Sequence, residues 1–233
     1  MAIETRPEQA GRGRGRPIGS DSAETRAAIL RCAREVINER GYEAATFQAI
    51  AERAGLSRPT MHYYFRTREE IYDCLVQEAS SIVADCIEQA KREDTLMGQL
   101  SAFVLAASRS GFAEPSMMKF ITVARLEFHR SPILRRGDGP VVAAMHAFYT
   151  AVVDDAIVRG EISPDADAAA IVNMLLAMFL GLGFYSGFIA DGADPTMIAK
   201  QLYRLMVRGL LDGPTIATPA AVGAGSVIDG EPQ

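Results

Sequence analysis

Five side chains able to touch a polyanion fall close together in the stretch Thr46 to Phe65: Arg58, Thr60, His62, Tyr63 and Tyr64. An ordinary surface helix would carry Glu and Lys there. Here no acid occurs between Ser57 and Arg68, so nothing repels a phosphate. An arginine in the first turn of such a helix can grip O6 and N7 of guanine bidentately. Phenol and imidazole groups suit phosphate oxygens. An aromatic-rich core helix would account for Met61 and Phe65, but not for three adjacent polar aromatics.

Local signals place these residues on the second of two short helices. Thr46 reads as an N-cap, and that helix closes at Gly55, a stop that takes the left-handed conformation at no steric cost. Ser57 caps the next helix through Phe65, with Pro59 tolerated because it lies in the first turn. Two short helices around Gly55-Leu56-Ser57 have helix-turn-helix proportions. Ala51 is small enough for close approach, and Leu56 and Met61 would fill the crease.

Outside this segment the pattern is helical, with no convincing strand run. A first helix should start at Asp21, with Glu24 as its capping-box partner, and end near Arg40 at Gly41. Thr67-Arg68-Glu69-Glu70 opens a long helix to about Lys91. Further helices are expected from about Asp94 to Ser110, from Pro115 to His129, and once or twice between Pro132 and Arg159. Ser163-Pro164 and Asp194-Pro195 should start the last two, each pairing a cap with proline at the first helical position. The expected organisation is all-α: an Arg/Gly-rich flexible arm (1–20), a DNA-binding head (21–66), an effector-binding and dimerisation body (67–212) and a loose tail (213–233).

The segment is similar to the TetR (tetracycline-repressor-like) family of bacterial transcription regulators. The matching residues are Gly41-Tyr42, Ala45-Thr46, Ile50-Ala51, Ala54-Gly55-Leu56-Ser57 and Thr60-Met61-His62-Tyr63-Tyr64-Phe65, followed by Arg68 and Glu69. They span about a fifth of the chain. The resemblance implies an all-α homodimer with a three-helix head and a helical body that binds a small effector. It implies DNA contacts from Arg58, Pro59, Thr60, His62, Tyr63 and Tyr64, phosphate contacts from Thr46 and Arg68 at helix N-termini, and a base contact from Gln48. Two positions depart from the family pattern. His62 stands where Tyr is usual, which exchanges a phenol for an imidazole. Arg68 stands where Lys is usual and keeps the charge. In the arm, Arg14-Gly15-Arg16-Pro17 resembles the core of an AT-hook, so Arg14 and Arg16 are candidates for a narrow minor groove.

The chain has 233 residues, with 24 basic and 29 acidic side chains, a net charge of −5. Residues 1–70 hold 12 basic and 10 acidic groups, so a mildly basic head sits on an acidic body. Cys32, Cys74 and Cys86 are odd in number and lack a CxxC, which fits thiols used as small core residues in a reducing, cytoplasmic setting. No apolar run follows the N-terminal arginines, so no export signal is expected. GxSxG, HExxH, Walker A and GxGxxG are all absent, so no enzyme activity, cofactor or metal is expected.

Ala168 to Ala190 carries no charge. By length it could cross a bilayer, but no Lys or Arg lies close to either end to orient it. The alternative is a soluble helix covered on one side by its own domain and on the other by a partner subunit. With the family's dimer interface on the last two helices, Gly181, Gly183, Gly187 and Leu202 become interface candidates. Methionines and aromatics of the body could line a partly apolar effector pocket, with Arg125, His129, His146 and Tyr149 as its polar groups. The reading is a dimeric repressor of a palindromic double-stranded DNA operator, released by a small-molecule effector, with no membrane partner. An architectural DNA-binding protein without effector and a membrane-anchored helical protein are the rivals.

Overall fold

The computed structural model describes residues 18–113, 115–135 and 139–189, with isolated positions 197, 198, 200, 201 and 204. The described residues form helices and turns only. The helices are α1 (Ile18–Arg40), α2 (Phe47–Ala54), α3 (Arg58–Tyr64), α4 (Arg68–Ala90), α5 (Leu96–Ala113), α6 (Pro115–Arg130), α7 (Pro140–Val158) and α8 (Ala168–Phe188).

Helical periodicity decides what each buries. On α1 the stripe Ile29, Leu30, Ala33, Val36 and Ile37 is buried against α2, α4 and α6. On α4 the stripe Ile71, Leu75, Ala79, Val83, Cys86 and Ala90 is buried, and α4 runs through the middle of the molecule, touching α1, α5, α6 and α7. Cys86 behaves as a small hydrophobe, and burial pushes its thiol pKa up. An aromatic knot closes the far end of the core. The Phe103 ring of α5 lies 5.2 Å from Phe148 and 5.9 Å from Tyr149 of α7, and 5.2 Å from Phe179 of α8. Such offset and edge-on pairs are favoured by the ring quadrupole.

Caps fall largely where the sequence signals lie. The Thr46 hydroxyl accepts from the Ala49 N–H, that of Ser57 from Thr60, and that of Thr67 from Glu70. Gly55 takes the left-handed conformation at φ 65°. Two starts differ. Helix α1 begins at Ile18, so Asp21 lies within the helix instead of capping it. Helix α8 begins at Ala168, not after Ser163. Ser163-Pro164 opens a turn instead, closed by Ala166 N–H to the Ser163 carbonyl at 3.0 Å, and Asp167 caps the helix through the Ala170 N–H. Serine followed by proline suits the first two positions of a turn as well as a helix start. The expected start at Asp194-Pro195 lies outside the described residues. Among the described residues between Pro132 and Arg159 there is one helix, α7, preceded by a turn at Pro132–Leu134.

The charge-free run resolves into two sides of α8. Val172, Leu175, Phe179 and Gly183 are buried on the core side, where α8 packs on α6 and α7. Gly183 and Gly187 belong to this contact. A Cβ on Gly183 would meet Thr122 Oγ1 at 3.5 Å, and one on Gly187 would meet the Lys119 Cα at 3.3 Å. Their small size therefore serves the α6–α8 crossing within the chain, which corrects their placement at a dimer interface. The other side carries Met174, Ala177, Gly181, Phe184, Tyr185 and Phe188, all exposed.

Candidate nucleic-acid interface and effector cavity

Helices α2 and α3 present their polar groups on one edge. The Arg58 guanidinium donates to Gln48 Oε1 at 2.6 Å, and the Gln48 amide donates to Glu52 Oε1 at 2.9 Å. Arg58 is thus held in place by a neutral partner while remaining exposed. His62 is exposed and stacks on Phe47, with ring centroids 4.7 Å apart and planes 15° off parallel. Tyr63 is 79% exposed, the largest free aromatic surface of the head. Pro59 is exposed; Thr60 is half-buried, its hydroxyl 2.8 Å from that of Ser57. Tyr64 is half-buried and packs edge-on to Tyr63 at 5.1 Å, so it braces Tyr63 more than it offers a surface.

Helix polarity favours an anion at this edge. The first turns of α2 and α3 contain no acid, so their N-terminal partial positive charge is not cancelled. The Thr46 hydroxyl oxygen accepts from the Ala49 N–H, which leaves its hydrogen for a phosphate. Arg68 differs. Its guanidinium donates to the carbonyls of Tyr42 and Glu43, lies 4.1 Å over the Tyr42 ring, and pairs with Glu43 and Glu69. With Glu69 and Glu70 in the first turn of α4, this end is electrostatically occupied. Arg68 is a strut of the head, set apart from the other candidates. Arg14, Arg16 and Leu202 lie outside the described residues.

Ion pairs and polar bonds hold the head together and tie it to the body. Arg53 of α2 bridges Glu35 and Glu39 of α1, and its hydrogen bond holds the Glu39 carboxyl below its ordinary pKa. Arg34 of α1, 2% exposed, donates to Ser116 Oγ of α6 at 3.0 Å and pairs with Glu78 of α4 at 3.6 Å.

A cavity of about 300 Å³ lies between α4, α6 and the start of α7. Phe120, Ile121, Ala124, Phe128, Leu134, Val76 and Val141 supply apolar wall; Tyr72, Asp73, Gln77 and Arg125 supply polar groups. Of the four effector candidates, Arg125 alone lines it. Its guanidinium lies 5.3 Å from the Phe128 ring centroid. The other three are elsewhere, for clear reasons. Tyr149 is buried in the aromatic knot, where burial pushes its pKa up. His129 is exposed near the end of α6, edge-on to Phe128. His146 is exposed on α7 within 3.5 Å of Thr150 Oγ1. Tyr72, Asp73 and Gln77 were missed because α4 reads as a core helix. A signal existed: Phe120, Ala124 and Phe128 recur every four residues on α6 beside Arg125. Among the described residues no group of three or more His, Cys, Asp or Glu could hold a metal ion.

With this geometry in place, the chain can be compared with known proteins. The family described as bacterial regulatory proteins, tetR family, matches residues 29–74. The transcriptional activator FasR of Mycolicibacterium smegmatis is 36% identical over 91 residues, covering 36% of this chain and 42% of FasR. The transcriptional regulator UidR of Escherichia coli is 22% identical over 200 residues, covering 82% of this chain and 95% of UidR. In structure, FadR of Bacillus subtilis in complex with stearoyl-CoA superposes with a TM-score of 0.66 at 18% identity, covering 78% of this chain and 98% of FadR. At that identity the last likeness speaks for the fold.

Proposed function

We propose, for a chain that belongs to the TetR family of bacterial regulatory proteins and is thus a DNA-binding transcriptional regulator, that it represses as a homodimer and leaves its operator when a small, largely apolar effector fills the α4–α6–α7 cavity. The observation that carries the DNA-binding part is the pair of acid-free first turns of α2 and α3, where Gln48 holds an exposed Arg58. A guanidinium already oriented by a neutral partner loses little freedom on meeting guanine. The exposed Tyr63, His62 and Thr46 are assigned to backbone phosphates.

The effector part rests on the cavity. Its volume sits at the low end of ligand pockets, about 300–1,000 Å³, and its apolar wall with one arginine suits a compact ligand with a polar end. Relatives include both an activator and a repressor by name; release by effector is the simplest use of a cavity beside the head. We place the protein in the cytoplasm with its DNA. The experiment is site selection from random DNA with the purified chain, then binding titrations across salt. A palindromic site should emerge, and log affinity should fall linearly with log salt by about 0.9 per phosphate neutralised. No enriched sequence and a flat slope would overturn the DNA-binding assignment. A thermal-shift screen of compact apolar acids and alcohols tests the cavity.

A further inference from the structure

The cavity borders one end of α4, and that end is the one joined to α3. Tyr72 of its wall follows Arg68 by four residues, about 6 Å along the helix axis at 1.5 Å per residue. The Tyr72 ring, 6% exposed, meets Phe120 across the cavity wall at 5.9 Å and Tyr42 on its other side at 4.9 Å, both edge-on. Tyr42 is fully buried in the turn that joins α1 to α2. Its hydroxyl donates to Glu69 Oε1 at 3.1 Å, and Arg68 covers its ring. Three residues before Glu69, the Arg66 N–H donates to Glu70 Oε2 at 2.7 Å, fixing the link from α3 into α4. Three parts of the molecule therefore meet at one aromatic pair: the cavity, the α1–α2 turn and the first turn of α4, which in turn holds the α3–α4 link through Glu70.

We infer that Tyr72 and Tyr42 are positioning residues that transmit filling of the cavity to the DNA-reading head. The inference rests on the reading of this cavity as the effector site for its biological use, but the mechanical coupling it states can be tested without any effector. Close-packed interiors do not absorb added volume; they pass it on. A group entering beside Phe120 displaces Tyr72, which has no solvent to move into. Tyr42 is its neighbour, and Tyr42 cannot shift without loosening Glu69 and Arg68. The turn leading to Thr46 and the link between α3 and α4 then move together, and α3 turns relative to α4. The two arrangements differ in DNA affinity, which is what coupling requires.

A double-mutant cycle tests this in the full chain, with a side chain standing in for the ligand. Ala124 lines the cavity from α6 and is half-buried. Ala124→Phe should weaken binding to the selected operator by roughly tenfold or more, within the usual range of allosteric couplings, without lowering the melting temperature. In the Tyr72→Leu background the same substitution should cost under about threefold, because the added ring then has room and no longer presses on Tyr42. A loss confined to packing would lower the melting temperature and appear equally in both backgrounds. Equal losses in both backgrounds, or none in the parent, overturn the inference. Val76→Phe fills the same cavity from α4 and is read identically if Ala124→Phe does not fold. Failure of the effector reading shows separately, as a thermal-shift screen in which no ligand raises the melting temperature, whatever the cycle gives.

Discussion

At the scale of single residues, recognition and positioning separate by what each side chain already touches. Arg58 has a rigid donor fork, an exposed location and a neutral holder in Gln48. Arg58→Ala should cost about 1–3 kcal/mol of operator binding and relax preference at one base pair per half-site. Site selection on the variant checks it; an unchanged preferred sequence would remove Arg58 as the reading residue. Tyr63, exposed and braced by Tyr64, is the residue we assign to phosphate. Tyr63→Phe should weaken binding to all sequences alike, measured as parallel losses on operator and random DNA. The candidate DNA-facing residues stand out in the sequence because their chemistry is anomalous: a helix without acids and with adjacent polar aromatics suits a polyanion. The setting of Arg68 does not, because sequence shows a charge and not its partners. Only folding brings the carbonyls of Tyr42 and Glu43 under its guanidinium. Three of the four effector candidates lie away from the cavity for a related reason. Tyr149 and the two histidines were chosen by residue type, whereas the direction each faces depends on how α6 and α7 pack on α4 and α5.

At the scale of elements, the helices themselves were legible wherever a cap preceded a periodic apolar stripe, as at Thr46, Ser57 and Thr67. Proline starts were ambiguous: Ser163-Pro164 made a turn. The glycines of α8 show the same limit. A GxxxG spacing predicts a close helix crossing, but not which helix crosses. Here α6 does. Gly187→Leu should push α8 off the Lys119 backbone and lower stability by about 1–3 kcal/mol, the usual cost of overpacking; a thermal melt measures it. Docking of α2 on α1 gives a pH signature. The folded-state pKa of Glu39 is depressed, first by its hydrogen bond to Arg53. A depressed carboxylate pKa contributes stability above the unfolded value, near pH 4, and loses it as pH falls through the folded value. Arg53→Ala should therefore lower the melting temperature at neutral pH and flatten its decline in acid. The pair is exposed, so the effect is modest. Identical pH profiles for parent and variant would deny the pair any role.

At the scale of the whole molecule, we propose that the exposed side of α8 is the face that pairs two subunits. Met174, Phe184, Tyr185 and Phe188 are each 36–45% exposed, and Ala177 and Gly181 lie between them on the same stripe. A contiguous apolar face of that kind marks a contact surface. A two-fold pair needs the same patch on both subunits, with small residues near the axis. Ala177→Arg puts two like charges at that axis without touching α6 or α7, since Ala177 faces outward. The variant should sediment as a monomer at micromolar concentration where the parent is a dimer. Its DNA binding should then change in a specific way. Once one head is bound, a dimer's second head searches only locally, at an effective concentration near millimolar, worth roughly 10²-fold or more in avidity. Affinity for the full palindrome should fall to that for one half-site, while affinity for an isolated half-site stays at the parent value. Ultracentrifugation and titrations on both oligonucleotides measure this together. A variant that remains dimeric would move the interface off this stripe. A monomer with undiminished affinity for the palindrome would show that two linked heads are not what the operator reads.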